Sequence, residues 1–140
     1  MQLSSILSII SFTAAASAVT VSYDTGYDQA GRSLTEVSCS DGPNGLITRY
    51  KWHTQGEIPK FPNIGGVQAV AGWNSPSCGT CWRLEYKGNK VNVLAVDHAA
   101  AGYNIGLAAM NTLTKGQAVA LGRVDAKATQ VNPSECGIKK

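Results

Sequence analysis

Short alternating runs, not long amphipathic stripes, dominate this chain. Val19-Thr20-Val21-Ser22-Tyr23 alternates apolar and polar positions and predicts a strand. Leu34 to Cys39 is a weaker strand pattern, and Gln68 to Trp73 is another. The clearest pair is Thr80 to Lys87 and Lys90 to Asp97, with Gly88-Asn89 between them as a two-residue hairpin signal. Trp82, Leu84 and Tyr86 share one face of the first of these strands, which makes Trp82 the strongest aromatic core candidate. Val119 to Val131 predicts one or two further strands, with Val124, Ala126 and Ala128 alternating with polar residues. One helical stretch interrupts the pattern. Asn104 can cap a helix running to about Thr114, with Leu107 and Met110 on one face and Gly116 near its end. Asp41-Gly42-Pro43-Asn44-Gly45 reads as a turn, and Glu57 to Gly66, with Pro59, Pro62 and Gly65-Gly66, as a long loop. Several short strands with one or two short helices predict a small closed β-barrel of mainly β class.

The N-terminus departs from this pattern. Its first 18 residues carry no charged side chain, so the α-amino group alone supplies positive charge there. An apolar run from Ile6 to Phe12 leads into Ala16-Ser17-Ala18, which fits the small-residue cleavage pattern of an export signal. The run falls short of the roughly 20 apolar residues that a membrane span needs. Residues 1–18 are therefore expected to be a secretory signal peptide, and residues 19–140 the mature secreted domain, with no transmembrane span.

Composition sharpens this reading. The 140 residues allow one domain, and 44% hydrophobic content can fill its core. Net charge is +3, but the 12 Lys and Arg are scattered, with only Lys139 and Lys140 adjacent. That excludes the basic tract of a nucleic-acid binder. Four cysteines, Cys39, Cys78, Cys81 and Cys136, read as two disulfides in an exported domain. Spacing does not choose among the three pairings. A redox C-x-x-C needs a helix after its first cysteine, whereas Cys81 is followed by the strand pattern Trp82 to Tyr86. A zinc site is equally poorly supported, because only one C-x-x-C is present.

Catalytic signatures are missing. The chain has no G-x-S-x-G, H-E-x-x-H, phosphate loop or dinucleotide fingerprint, so no cofactor or metal is expected. Asp97 and His98 are neighbours on a predicted strand and point to opposite faces, which argues against an Asp–His relay. His98 reads instead as a surface residue at the strand end. Among nine acidic residues, Asp97 stands apart. It ends the apolar run Val91 to Val96 and precedes a glycine-containing loop, which places a carboxylate at a barrel rim. Asp24 likewise ends the first strand, beside Tyr23 and Tyr27. Hydrolysis of a glycosidic bond usually requires two carboxylates flanking it. Sugar binding requires less: aromatic faces for the rings and carboxylates or amides for the hydroxyls. Tyr23, Tyr27, Asn44, Trp52, Trp73, Tyr103 and Asn104 are available in predicted loops or strand ends.

Together these motifs resemble the cerato-platanin family of small fungal secreted proteins. The resemblance runs through Val21-Ser22-Tyr23-Asp24, Val37 to Leu46 around Cys39, and Phe61-Pro62-Asn63-Ile64-Gly65-Gly66. It is most specific in Ala71-Gly72-Trp73-Asn74-Ser75-Pro76-Ser77-Cys78-Gly79-Thr80-Cys81-Trp82. It continues through Val96-Asp97, Tyr103-Asn104-Ile105 and Gly122-Arg123-Val124-Asp125. The resemblance implies a six-stranded double-ψ β-barrel shared with the first domain of expansins, with disulfides Cys39–Cys78 and Cys81–Cys136. It implies a non-catalytic, secreted protein associated with the cell wall. Expected partners are chitin or N-acetylglucosamine oligomers, cellulose, and a plant surface receptor. The expected activity is elicitation of plant defence, by a monomer that self-assembles at interfaces. Asp97 matches the family's functionally implicated aspartate; Tyr23, Asp24 and Asn104 match motif positions near the same groove. The alternatives are an endo-acting glycoside hydrolase using Asp97 and a second carboxylate such as Asp24, and a structural protein that forms interfacial layers.

Overall fold

A computed structural model describes residues 17–139 of the chain. The expected leader, residues 1–18, lies outside the described residues apart from Ser17 and Ala18, which open the first strand. Six strands form a closed barrel: β1 (Ser17–Tyr23), β2 (Ile64–Val67), β3 (Cys81–Tyr86), β4 (Asn89–His98), β5 (Tyr103–Ile105) and β6 (Arg123–Val131). Their order around the barrel is β1-β5-β2-β4-β3-β6. The β1–β5 and β2–β4 pairs are parallel and the other neighbours antiparallel, as the double-ψ barrel requires of a mixed sheet. Closure removes the free edges that so many short strands would otherwise expose.

Burial explains which runs became strands. In β6, Val124, Ala126 and Ala128 are buried while Arg123, Asp125 and Lys127 are exposed, the clean alternation of a sheet with one wet face. In β4 the run Val93-Leu94-Ala95-Val96 is buried without alternation, because α2 (Leu107–Thr114) packs against this strand. The helix contributes Ala109, Met110 and Leu113, all fully buried. Two further short helices, α1 (Leu46–Tyr50) and α3 (Ala118–Leu121), lie outside the barrel strands. Both disulfides form, Cys39–Cys78 and Cys81–Cys136, closing separations of 39 and 55 residues. Loops of this length are worth about 4 kcal/mol each in the chain-entropy view, a useful supplement for a small core.

Several local expectations change. Leu34 to Cys39 is a 3₁₀ turn followed by bends, because Ser33 caps the turn by accepting from the Thr35 amide. Gln68 to Trp73 is turns rather than strand: Val70 already bonds back to Val67. The loop expected over Glu57 to Gly66 contains the start of β2, a strand built on two glycines. The hairpin turns on Lys87-Gly88, both at positive φ, one residue earlier than Gly88-Asn89. Residues Ala118–Leu121, inside the expected final strands, are helical. Trp82 is half-buried, edge-on to the buried ring of Tyr103 at 5.8 Å between centroids. Asn104 does not cap α2; it lies within β5. The helix N-cap position is Gly106, which has no side chain to offer. Asp28, distant in sequence, supplies the cap. Its carboxylate accepts from the Leu107 amide at 2.6 Å and the Ala108 amide at 3.0 Å. A carboxylate at a helix N-terminus satisfies otherwise orphaned N–H groups and suits the helix dipole.

Asp28→Ala is expected to lower unfolding free energy by about 1–2 kcal/mol, measured by urea titration at neutral pH. A loss of a few tenths would mean that the cap contributes little.

Candidate functional site

Strand register places the chemistry. Ser22 of β1 pairs with Asn104 of β5, Asn104 pairs with Gly66 of β2, and Gly66 pairs with Asp97 of β4. Four strands therefore contribute one continuous cross-barrel row, Ser22–Asn104–Gly66–Asp97. A register shift between Gly65 and Gly66 lets Val96 bulge, so that Asp97 rather than Val96 stands beside Gly66. Bulges commonly re-aim a side chain next to a site in this way. Gly66 is obligatory on geometric grounds. A Cβ there would sit 2.8 Å from the His98 carbonyl oxygen and 3.2 Å from the Tyr27 hydroxyl.

Asp97 is the best-anchored carboxylate in the row. Its Oδ2 accepts from the Tyr27 hydroxyl at 2.7 Å. Its Oδ1 accepts from the Ser38 and His98 amides, each at 2.9 Å. An ionised carboxylate offers about four acceptor positions, so three donors leave about one for an incoming group. At the other end of the row, Asn104 Oδ1 accepts from the Ser22 hydroxyl at 3.0 Å, which directs the amide's N–H groups away from that bond. The row thus holds an acceptor and a donor, with buried Gly66 between them under the Tyr27 hydroxyl.

The remaining sequence candidates lie differently. Tyr23 pairs with Ile105, one step from the row, so its ring emerges on the opposite face of the sheet and packs against the core. Asp24 is exposed and caps the turn Thr25–Asp28, accepting from the Gly26 amide at 2.8 Å. Tyr27 and Tyr103, considered as sugar platforms, are both buried, and the Tyr27 hydroxyl is already committed to Asp97. Trp52 is half-buried and stacked on Tyr50. His98 is exposed, and its Nδ1 bonds the Val70 carbonyl at 2.7 Å.

Sequence reasoning missed the supports of the site. Tyr27 sits in a turn held from below by Gln55, which is fully buried. Gln55 Nε2 donates to the Gly26 and Gln29 carbonyls at 3.0 and 2.9 Å. The Arg32 guanidinium lies 5.4 Å above the Tyr27 ring. A polar residue between turn signals carries no mark of such burial. The Gly65-Gly66 pair was a usable signal, since two glycines in sequence often mark close backbone approach.

A concavity of about 490 Å³ lies elsewhere, between β3 and β6 near the tip of the β3–β4 hairpin, lined in part by Glu85, Tyr86, Asp125 and Lys127. That tip is about 26 Å from Asp97 along β4. Its lining sets Tyr86 among charges of both signs from β3 and β6.

Burial is the main reason that Tyr27 holds its proton well above the ordinary tyrosine range. The hydrogen bond to Asp97 and the charges of Asp97 and Asp24 add to it, and Arg32 opposes. Burial also pushes Tyr103 up to about 12. Both groups keep protons in the folded chain that the unfolded chain releases near pH 10, so their stabilisation is complete below about pH 10 and declines above it. Tyr27→Phe is expected to be less stable at neutral pH by about 1–2 kcal/mol, through loss of a charge-assisted bond. It should nevertheless lose less further stability than the wild type between about pH 10 and pH 12. Urea unfolding across that range checks both signs; parallel pH profiles would refute the linkage.

Comparison with known proteins agrees with this architecture. The family model for Cerato-platanin matches residues 19–138. A protein of Aspergillus fumigatus named Allergen Asp f 15 is 52% identical over 118 residues, covering 84% of this chain and 76% of its own length. The crystal structure of cerato-platanin 3 from M. perniciosa superposes with a TM-score of 0.83 at 45% identity, covering 87% of this chain and all (100%) of the other. The solution structure of the fungal elicitor cerato-platanin superposes with a TM-score of 0.75 at 42% identity, covering 84% and 96%. At the level of fold alone, a mutant expansin from Clavibacter michiganensis in complex with cellohexaose matches with a TM-score of 0.59 at 15% identity, over 84% of this chain and 50% of that one. The chain belongs to the cerato-platanin family.

Proposed function

We propose that this protein is a secreted, non-catalytic carbohydrate-binding protein that acts as an elicitor of plant defence. Its ligands are N-acetylglucosamine oligomers of the chitin type, with cellulose-type chains as weaker ones. The observation that carries this reading is the row Ser22–Asn104–Gly66–Asp97, which sets an anchored acceptor and a directed amide in one register across the barrel. Such a surface takes a sugar hydroxyl at Asp97 and an acetamido carbonyl at Asn104, while buried Gly66 lets the Tyr27 hydroxyl come close enough to hold Asp97 in place. Few groups are pre-organised and water competes for each, so affinity is weak. Asp24 contributes charge near the Tyr27 hydroxyl, and Tyr23 supports the strand from the core side.

The use of Asp97 supports a non-hydrolytic role. Its oxygens serve as acceptors for three structural donors. Asp24 spends an oxygen on capping its own turn, which speaks against its serving as the second carboxylate of an acid–base pair. Membership of a family with a named fungal elicitor supports the defence role. The fold shared with an expansin solved with cellohexaose supports wall polysaccharide as the class of ligand. Export is read from the apolar leader, with cleavage after Ala18 leaving Val19–Tyr23 paired to β5 and β6. Among the described residues, no helix is long and apolar enough to cross a membrane.

Titration of the isotopically labelled protein with N-acetylglucosamine oligomers is expected to perturb amides at Asp97, Asn104 and Gly66. Asp97→Asn should weaken binding about tenfold or more, the scale of a lost charged hydrogen bond. Asn104→Ala disturbs only the Ser22 hydroxyl and should weaken binding comparably, separating ligand contact from folding. Reducing-sugar assays on the wild type should remain at the buffer level. Unchanged binding in both variants defeats the binding site; sugar release that vanishes in Asp97→Asn establishes a hydrolase instead.

A further inference from the structure

Trp73 is the one exposed aromatic residue among the described residues, with 61% of its surface open. Exposed tryptophans usually turn and fold down onto the surface, because an open indole leaves apolar area in water. This one is held. Its Nε1 donates to Asp41 Oδ1 at 2.7 Å. Its Cζ2 lies over Gly42, 2.8 Å from where a Cβ would stand. Gly42 has φ of 83°, so glycine is needed there both for the backbone and for the ring. Asn74 follows the tryptophan at φ of 63° and locks to the same turn: the Asn44 amide donates to Asn74 Oδ1 at 2.9 Å, and Asn44 Nδ2 donates to the Asn74 carbonyl at 3.0 Å. The result is a fixed aromatic plate with a carboxylate and two amides around it.

The plate is also fastened to Asp97. The Ser38 amide bonds Asp97, the Cys39 amide bonds the Val96 carbonyl at 3.1 Å, and Asp41 follows three residues after Ser38. Three residues span at most about 11 Å of chain, the length of roughly two pyranose rings. From the other side, His98 bonds the Val70 carbonyl, three residues before Trp73. Cys39–Cys78 cross-links the two loops that carry Asp41 and Trp73.

We propose that Trp73, with Asp41, Asn44 and Asn74 around it, is a second carbohydrate subsite, stacking one pyranose ring of the same β-linked N-acetylglucosamine chain that engages Asp97 and Asn104. The inference rests on the reading of the Asp97–Asn104 row as a sugar site. The chemistry is the pairing of axial C–H groups with the negative face of the indole, while the amides and Asp41 meet the equatorial hydroxyls. A rigid plate loses little conformational entropy on binding, which is why the ring's restraint matters as much as its exposure. Two linked subsites also make affinity depend on chain length, since only an oligomer that reaches both gains from the second.

The test compares the dimer and the hexamer of N-acetylglucosamine by calorimetry, with acrylamide quenching of tryptophan fluorescence in parallel. Trp73→Ala is expected to lower hexamer affinity about tenfold and leave dimer affinity unchanged. Asp97→Asn should lower both. Trp73→Tyr should recover most of the hexamer affinity, and Asp41→Ala, which frees the ring, should lose part of it. The hexamer should reduce acrylamide quenching in the wild type, and the dimer should not. Equal hexamer affinity in the wild type and Trp73→Ala overturns the subsite while leaving the Asp97 row standing. Loss in Trp73→Ala with no loss in Asp97→Asn keeps the plate as a sugar site and overturns the row. No hexamer binding to the wild type overturns both. Because Trp73 is exposed, Trp73→Ala should keep the wild-type thermal midpoint within a few degrees, which confirms that a binding loss is local.

Discussion

One carboxylate, Asp97, joins the turn after β1 and the loop before the first cysteine to the end of its own strand, β4. Tyr27 comes from the turn after β1, Ser38 from the loop before the first cysteine, and His98 from the end of β4; all three donate to Asp97. Each bond to an ionised acceptor is worth more than a neutral one, and the Tyr27 bond is made where water is excluded. The turn and the loop carry little regular structure of their own, so Asp97 substitutes for the strand partners they lack. The carboxylate of the candidate site is thus also a structural hub. That dual use accounts for the shape of the surrounding backbone: the bulge at Val96, the bare Gly66 and the buried Gln55 each serve the approach of Tyr27 to this one side chain.

Buried polarity around the hub is fully paired. Gln55 has no exposed surface, yet its amide finds two carbonyls of the Tyr27 turn and its oxygen faces Arg32. Among the described residues, no buried side-chain polar atom lacks a partner. A satisfied network of this kind has a single low-energy arrangement, because any shift strands a group that costs about 1–3 kcal/mol to leave unpaired. The site is therefore stiff even though loops build half of it.

The sequence carried the barrel legibly and the site only in part. Alternation in Arg123 to Ala128 could be read directly, since it buries one face, and the β3–β4 hairpin could be read from two strand-like runs flanking a glycine turn. Asp97 was legible because a carboxylate ends an apolar run. β2 was not, because Ile64-Gly65-Gly66-Val67 owes its strand conformation to β4 and β5 closing on either side. The α2 cap was hidden for the same reason: Asp28 lies 79 residues before the amide of Leu107 that it satisfies. Gln55 and the Tyr27 clamp are long-range contacts of residues that look like ordinary turn material. What local patterning encodes is which face is wet; what it omits is which distant group completes a hydrogen bond.

This division also explains why the disulfides sit where they do. Strands β1, β3, β4 and β6 are held by long antiparallel ladders and a common apolar interior, and they need little further constraint. The loops of residues 37–45 and 68–79 have no such ladders and reach the core only through a few side chains such as Val37 and Val70. Cys39–Cys78 joins them to each other, and the Cys39 and Gly79 amides join them to the Val96 and Ala95 carbonyls at the end of β4. Cys81–Cys136 does the same for the C-terminal turn, which otherwise follows β6 with only a few bonds. Covalent closure acts mainly by removing freedom from the unfolded chain, so it is most useful where the folded contacts are sparse. In this fold one cross-link joins the loops beside the candidate site, and the barrel supplies the frame from which those loops are hung.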